Sequence, residues 1–145
     1  SGYIRPVLEQ KVKGWDWTMN INARSALFTA QKAAPMMQKR GGGAIVNVSS
    51  IGGARTLPNY VVIGASKAAL EGFMRALAAE VASEPIKVAT IVPGGVLTDF
   101  GIRTREDRIK SGAKFLEPED VADAIVYLLT QPERAWTQEM TLWPR

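Results

Sequence analysis

The sequence predicts an α/β fold in which helices alternate with the strands of a parallel sheet. Two observations support this fold class. Segments with apolar residues at helical spacing alternate three times with short apolar runs, in the order helix, strand, helix, strand, helix, strand. The first two runs are almost continuously apolar and are flanked by Gly, Pro or Ser, which is typical of buried parallel strands.

The first helix is predicted over residues 15–37, where apolar positions recur at helical spacing and are mostly alanine. The three glycines at 41–43 end it, because glycine readily takes the left-handed conformation that stops a helix. The run AIVNV at 44–48 follows as the first buried strand.

The second helix is predicted to begin near Pro58, with Asn59 as its N-cap, because Asn side chains accept hydrogen bonds from the first turn of a helix. Apolar residues at helical spacing continue until Pro85, which cannot extend the helix. Residues 86–92 then form the second buried strand, which a Pro-Gly-Gly turn closes.

The third helix is predicted over residues 117–129, and the alternating run at 139–143 forms the last strand. Residues 98–115 show no clear periodicity and are predicted to be a long loop. Because this segment follows the carboxyl end of a parallel strand, where open α/β sheets bind ligands, we expect it to be a substrate lid.

Composition limits the chemistry that this chain can perform. At 145 residues, with 46% hydrophobic and 22% charged residues, it is long enough for one globular domain. It contains no Cys and no His, so thiolate catalysis, Cys-ligated zinc and the commonest general base are excluded. Acid–base chemistry therefore falls to Tyr, Lys, Ser or carboxylates, and no metal site is expected.

Composition also bears on location and partners. No apolar run approaches the ~18 residues of a membrane span, and no N-terminal stretch has the form of a secretion signal. We therefore expect a cytoplasmic protein with no membrane partner. The net charge of +4 is spread along the chain, and acidic residues interrupt its densest basic segment, so we expect no nucleic-acid partner.

Four motifs together resemble the second half of a short-chain dehydrogenase/reductase, in order and in spacing. They are Trp15-Asp16 followed by Asn22, IVNVSS at 45–50, ASKAALEGF at 65–73, and PGGVLT at 93–98. The resemblance covers nearly the whole chain. It implies a Rossmann-type, doubly wound parallel sheet that binds NAD(H) or NADP(H).

The glycine-rich phosphate loop of that family is not found in this sequence. Ser1-Gly2 resembles the residues just after the family's Asn-Asn-Ala-Gly turn. We therefore expect residues 1–145 to be the C-terminal part of a single NAD(P)-binding domain, with the N-terminal half of the fold absent from this chain. The residues that would choose between NADP(H) and NAD(H) lie upstream in the family, and NADPH is slightly favoured.

The resemblance assigns roles to individual residues. Lys67 would bind the ribose hydroxyls of the cofactor and lower the pKa of a catalytic phenol through its charge. Ser50 would donate to the substrate oxygen, Asn22 would hold a water of the proton relay, and Ser49 would contact the cofactor. The segment that would support the nicotinamide comprises Pro93, Gly94, Val96 and Thr98.

The catalytic tyrosine is displaced from its usual place in this family. The commonest pattern has Tyr four residues before the lysine, where this chain has Ile63, and the only nearby phenol is Tyr60. Tyr60 precedes Lys67 by seven residues, which is two helical turns with ~10.5 Å of rise. Tyr-x6-Lys is the spacing of the enoyl-thioester reductase branch, so the resemblance implies that Tyr60 polarises a thioester carbonyl while hydride goes to the β-carbon.

Two alternatives stay open at this point. One is a ketoreductase or alcohol dehydrogenase of the same family. The ending TQEMTLWPR lacks the Asp-Gly-Gly with which many members of both branches close their final strand, and it resembles the endings of other short-chain dehydrogenases. The other is a catalytically inactive protein of this family that serves binding or oligomerisation.

The residues expected to contact a small-molecule or acyl-thioester substrate are Ile63, Gly95, Phe100 and Ile102.

Macromolecular partners also follow from the resemblance. The two long helices pack against their symmetry mates in this family, so a homodimer or homotetramer is expected. An acyl carrier protein is a candidate partner, because such carriers are acidic and the lid segment holds three arginines, namely Arg103, Arg105 and Arg108.

Overall fold

The computed structural model of the protein describes residues 2–55, 57–101 and 103–145. Within these ranges the strands form one parallel sheet in the order β1-β2-β3. The strands are β1 (Gly43–Val48), β2 (Ile86–Pro93) and β3 (Glu139–Leu142). The predicted parallel α/β sheet is confirmed, and each predicted strand lies within one residue of its observed bounds.

The first helical segment is longer than predicted and is not a regular α-helix throughout. It consists of α1 (Val12–Met19), a π-helical turn (Asn20–Arg24) and α2 (Ser25–Lys39), and a 3₁₀ turn at Val7–Glu9 precedes it. The prediction of one regular helix over 15–37 was therefore wrong in its bounds and in its regularity. A π-helical turn inserts an extra residue, and apolar periodicity in a window of this length does not resolve one extra residue.

The connection from β1 to β2 contains a short helix, α3 (Ile51–Ala54), which was not predicted, and the long helix α4 (Val61–Glu80). The N-cap of α4 is Tyr60, and the prediction of Asn59 as the N-cap was wrong. Asn59 has a φ of 69°, in the left-handed region, because it turns the chain into the helix. The amide of Tyr60 closes that turn on the carbonyl of Leu57 at 3.1 Å.

The segment predicted as a continuous loop contains a helix, α5 (Arg105–Lys110), so that prediction was wrong in part. A capping box starts the helix: the Thr104 hydroxyl accepts from the Asp107 amide at 3.1 Å, and the Asp107 carboxylate accepts from the Thr104 amide at 2.9 Å. These bonds to Thr104 lower the pKa of the Asp107 carboxyl. The last helix, α6 (Pro118–Leu129), follows the predicted bounds.

Helices cover both faces of the sheet, as a doubly wound fold requires. On one face, α2 and α4 bury one alternate set of β2 side chains, which includes Val88 packed against Leu70 and Met74. On the other face, α6 buries the opposite set, in which Ala89 and Ile91 pack against Ala124 and Leu128. Strand side chains alternate between faces, so β2 is buried on both sides and takes the central position.

Candidate active site

The carboxyl ends of the three parallel strands meet at one edge of the sheet. The loop after β1 carries Ser49 and Ser50, and the loop after β2 begins with Gly94 and Gly95. This edge is the place where open α/β sheets bind ligands. Apart from Asn22, the predicted site residues lie after β1, at the last residue of β2 or after β2 in the chain.

Asn22 lies in the π-helical turn and is 8% exposed. Its side-chain amide donates to the Ser66 hydroxyl at 2.9 Å, and Ser66 in turn donates to the carbonyl of Ile63 at 2.8 Å. The bond crosses from the first helical segment to α4, so Asn22 is part of a buried polar contact rather than a surface residue. π-Helical turns often occur at functional sites, because the extra residue turns one side chain inward.

Lys67 lies on α4 and is half-buried. Its ammonium donates to the carbonyl of Val48, the last residue of β1, at 2.8 Å. Burial lowers the pKa of the Lys67 ammonium, and the nearby Glu71 carboxylate acts in the opposite direction. The charge of Lys67 is therefore held at the carboxyl end of the sheet.

The two serines after β1 have different environments. Ser49 is buried, and its hydroxyl donates to the Glu71 carboxylate at 2.5 Å. Ser50 is the N-cap of α3, and its oxygen accepts from the amide of Gly52 at 3.2 Å. No acceptor for the O–H of Ser50 is found among the described residues, so this hydroxyl is the one of the two that is free to donate to a ligand.

Tyr60 and Lys67 line different clefts. Tyr60 lines a cleft of about 320 Å³ between α3 and the first turns of α4. Lys67 lines a cleft of about 500 Å³ between α2 and β1, together with Asn22 and Val48. The structure therefore brings Asn22 and Lys67 together but does not place Tyr60 in the same cleft.

Ile63, at the usual place of the family's catalytic tyrosine, is 3% exposed. Its side chain lies directly against Gly2, so closely that a Cβ at residue 2 would overlap it. This position is therefore occupied by a packed aliphatic group.

The segment after β2 is packed closely against other parts of the chain. A Cβ on Gly94 would lie 3.0 Å from Pro144, and one on Gly95 would lie 3.0 Å from the ring of Phe115. Val96 forms a parallel bridge with Leu116. These contacts fix the turn that follows β2, where Pro93, Gly94, Val96 and Thr98 are predicted to support the nicotinamide.

Arg108 links separate parts of the lid segment, residues 98–115, to one another. Arg108 donates to the carbonyl of Thr98 at 2.9 Å and to the carbonyl of Phe100 at 2.5 Å, and its guanidinium lies 5.6 Å from the centre of the Phe115 ring. The Phe100 side chain is 43% exposed, as a substrate contact requires. Ile102, the other predicted apolar contact, lies outside the described residues.

The arginines of this segment are not equivalent. Arg105 forms an ion pair with Glu117 at 3.3 Å, and Arg108 is bound to the main chain. Arg103 is exposed beside Asp107. Two of the three arginines expected to attract an acidic carrier protein thus already have partners within the protein.

Two polar residues of this region were missed from the sequence. Glu71 and Ser66 are both buried and both hydrogen-bonded to predicted site residues. Their spacing from Lys67 was a usable signal: Glu71 lies four residues after it, on the same helix face, and Ser66 is adjacent to it in the ASK motif. Nothing in the sequence alone indicated that either side chain is buried.

These residues fit one end of a nicotinamide dinucleotide. A lysine ammonium at the carboxyl end of a parallel strand is a suitable donor for ribose hydroxyls, and the free O–H of Ser50 lies on the loop that follows the same strand. The phosphate end has no counterpart here, because the sequence contains no G-x-G-x-x-G turn.

Among residues 2–55, 57–101 and 103–145, no helix is long and apolar enough to cross a membrane.

Comparison with known proteins extends this picture. A family model described as Enoyl-(Acyl carrier protein) reductase matches residues 2–142. Glycine betaine reductase of Emericella nidulans is 34% identical over 149 residues, which cover 99% of this chain and 12% of that protein. An uncharacterised oxidoreductase of Staphylococcus aureus is 33% identical over 138 residues, which cover 95% of this chain and 58% of that protein.

Solved structures agree with these matches. A short-chain type dehydrogenase/reductase from Mycobacterium ulcerans has a TM-score of 0.87 and 26% identity, over 98% of this chain and 55% of its own. 4-Hydroxyisoleucine dehydrogenase complexed with NADH has a TM-score of 0.83 and 26% identity, over 98% of this chain and 63% of its own. ElxO with NADP bound has a TM-score of 0.80 and 26% identity, over 97% of this chain and 60% of its own.

The chain spans less than two thirds of the length of each of these relatives. The matched region includes all four motifs, the parallel sheet and the helices on both of its faces. This chain therefore belongs to the short-chain dehydrogenase/reductase family.

Proposed function

We propose that this chain carries the catalytic residues of a nicotinamide-dependent oxidoreductase. The observation that supports this proposal best is the position of Lys67, whose ammonium is half-buried and directed at the carboxyl end of β1. A charged amine placed there, on the same cleft as the buried Asn22, is suited to binding a ribose. We propose that an intact protein supplies the remaining part of the dinucleotide site, and we call it the intact protein below.

The proposed roles of the residues follow from their chemistry. The bound cofactor would supply hydride. Lys67 holds the ribose, Tyr60 donates its proton toward the substrate oxygen, and Ser50 donates a hydrogen bond to the same oxygen as negative charge develops on it. Asn22 helps to hold the helices that carry these groups.

We propose an enoyl thioester as the substrate class. Ile63 cannot donate a proton and is buried, so the phenol that remains near the start of α4 is that of Tyr60, the N-cap of this helix. A phenol two helical turns from the lysine suits a substrate whose carbonyl lies beyond the carbon that accepts hydride. The description of the matching family model supports the same class.

A ketone or alcohol substrate is the second candidate, and a specific observation favours it. The solved relative that acts as 4-hydroxyisoleucine dehydrogenase is named for an alcohol substrate, and its structure covers 98% of this chain. The separate clefts of Tyr60 and Lys67 motivate a third candidate, a protein that binds but does not catalyse.

For the cofactor we propose NADPH first and NADH second, because two of the solved structures at 26% identity hold NADP or NADPH and one holds NADH. For partners we propose a homodimer or homotetramer and, in the enoyl case, an acyl carrier protein. Arg103 is the cation of the lid best placed to meet an acidic carrier, since Arg105 and Arg108 are engaged within the chain.

The test is a Tyr60→Phe substitution in the intact protein, assayed by NADPH and NADH oxidation with an enoyl thioester and with a ketone. Loss of turnover, by 10²-fold or more as expected for removal of a general acid, supports Tyr60 as the proton donor. Tyr127→Phe is the matched control, because Tyr127 is 56% exposed on α6. No oxidation of either cofactor by the unsubstituted protein would favour the binding protein.

A further inference from the structure

Glu71 is a buried acidic residue to which the proposed reaction gives no role. It is 7% exposed, and it lies on α4 one helical turn after Lys67. Burying a carboxylate is costly unless other groups compensate for its lost hydration, so a buried carboxylate calls for an explanation.

Two groups compensate for the burial of Glu71. The Ser49 hydroxyl donates to its carboxylate at 2.5 Å, and the Lys67 ammonium interacts with it electrostatically. Lys67 and Glu71 do not form a direct ion pair in the part of the chain that the structure describes. The Lys67 ammonium instead donates to Val48, so it stays directed at the sheet edge while Glu71 acts on it through space.

Among the described residues, the charged groups near Glu71 other than Lys67 have contacts of their own: Arg55, which follows α3, has its guanidinium 4.6 Å from the centre of the Trp143 ring. The short helix α3 approaches so closely that a Cβ on Gly53 would lie 2.7 Å from the Glu71 carboxylate, but α3 carries no charged residue. Arg75, one turn further along α4, is exposed and is paired with Glu139 at 3.5 Å. Among the described cations, Lys67 is the one whose pKa responds to the charge of Glu71.

We propose that Glu71 is a positioning residue for the proposed reaction: its carboxylate, fixed by Ser49, keeps Lys67 charged and directed at the carboxyl end of β1. This inference rests on the proposed function, because it assigns Glu71 a role through Lys67. Burial of Lys67 favours the neutral amine, whereas the negative charge of Glu71 favours the ammonium. Loss of that charge therefore leaves less ammonium at alkaline pH.

The test is Glu71→Gln in the intact protein, with kcat/KM measured from pH 6 to pH 10. Gln keeps the size of the side chain and can still accept from Ser49, but it has no charge. We expect the alkaline limb of the profile to move down by about one pH unit, as for loss of one nearby opposite charge. The KM for the nicotinamide cofactor should rise at the alkaline end, with little change near pH 6.

Two further variants make the result specific. Glu71→Asp keeps the charge, so the alkaline limb of its pH profile should lie close to that of the unsubstituted protein. Ser49→Ala should move the alkaline limb to lower pH, as Glu71→Gln does. Glu80→Gln is the control, since it removes an equal charge from an exposed position at the end of α4. If Glu71→Gln does not fold, the pH of the alkaline limb in Ser49→Ala tests whether Glu71 keeps Lys67 charged.

An active intact protein whose Glu71→Gln profile superimposes on that of the unsubstituted protein would overturn this inference alone. An intact protein that oxidises neither NADPH nor NADH would instead overturn the proposed function. The two failures are therefore distinguished by the activity of the unsubstituted protein.

Discussion

The ammonium of Lys67 lies 2.8 Å from the carbonyl oxygen of Val48, at the point where β1 ends. A main-chain carbonyl neutralises no charge, so this bond fixes the direction of the lysine side chain without compensating fully for its lost hydration. Burial consequently lowers the pKa of the Lys67 ammonium. The position of the Lys67 ammonium, which suits the binding of a ribose, therefore lowers the stability of the folded chain.

We predict that Lys67→Met increases the stability of the intact protein at neutral pH while removing its activity. The pKa of Lys67 is lower in the folded protein than in the unfolded chain, so the unfolded chain binds more protons in the window between the two values. The free energy of unfolding of the unsubstituted protein should therefore rise with pH through that window. Thermal denaturation of both proteins at several pH values measures the stability gained by Lys67→Met. This gain should shrink as the pH approaches the ordinary pKa of lysine.

Lys32→Met on the exposed side of α2 is the control for that comparison. Its effect on the melting temperature should be small and nearly independent of pH in the same range. A Lys67→Met protein that is less stable than the unsubstituted one at every pH would show that the contacts of the ammonium outweigh its burial.

We predict that Arg108→Lys loosens the lid segment. The guanidinium bonds to two carbonyls, those of Thr98 and Phe100, and lies over the ring of Phe115. An ammonium cannot reproduce this planar, two-pronged contact. Limited proteolysis should cut within residues 98–115 several-fold faster in Arg108→Lys than in the unsubstituted protein.

Arg103→Lys is the matched substitution for the lid, because Arg103 is exposed in the same segment. It should leave the rate of cleavage within the lid unchanged. Equal cleavage rates for the two variants would mean that Arg108 does not anchor the segment.

We predict opposite effects for alanine at two glycines. Gly42 has a φ of 141°, and a Cβ there would lie 2.7 Å from the carbonyl oxygen of Pro85. Gly42→Ala should therefore lower the free energy of unfolding by about 1–3 kcal/mol. Gly72 lies within α4 with open space around it, so Gly72→Ala should raise that free energy by about 0.5–1 kcal/mol.

Chemical denaturation of the two variants of the intact protein measures these effects. Because both changes add one methyl group to a glycine, any common effect on the unfolded chain cancels in the comparison. Two variants of equal stability would show that the approach of β1 to Pro85 tolerates a side chain.

We predict that the 145-residue chain alone binds NADPH weakly. Its residues fit the nicotinamide ribose, but the sequence lacks the glycine-rich turn that holds the pyrophosphate at a helix N-terminus. Titration of NADPH fluorescence should give a dissociation constant at least tenfold weaker than that of the intact protein. Equal affinities would place the whole dinucleotide site within these residues.

The sequence predicted the strands well, because buried β-branched runs next to Gly and Pro have few alternative structures. It missed the helix α5, although Thr104 and Asp107 had the spacing of a capping box, because the segment lacks apolar periodicity. It misplaced the N-cap of α4, since Asn favours both N-caps and the left-handed turn that Asn59 adopts.

The site was predictable only in part. Motif spacing located Lys67 and Asn22, and the structure places both on one cleft. Spacing could not show that Tyr60 lines a separate cleft, because Tyr60 precedes the first residue of α4 and a helical repeat does not determine its direction. Burial of Glu71 depends on the approach of α3, which no local pattern indicates.

The π-helical turn Asn20–Arg24 makes the first helical segment sensitive to its length rather than only to its composition. The turn contains Asn22, whose side-chain amide donates to Ser66 on α4. Deleting a single residue there would leave a regular helix, yet would turn every preceding side chain by about 100° relative to the sheet. In an alignment with related chains, a relative that lacks one residue at this turn is therefore expected to lack the hydrogen bond from the asparagine to α4.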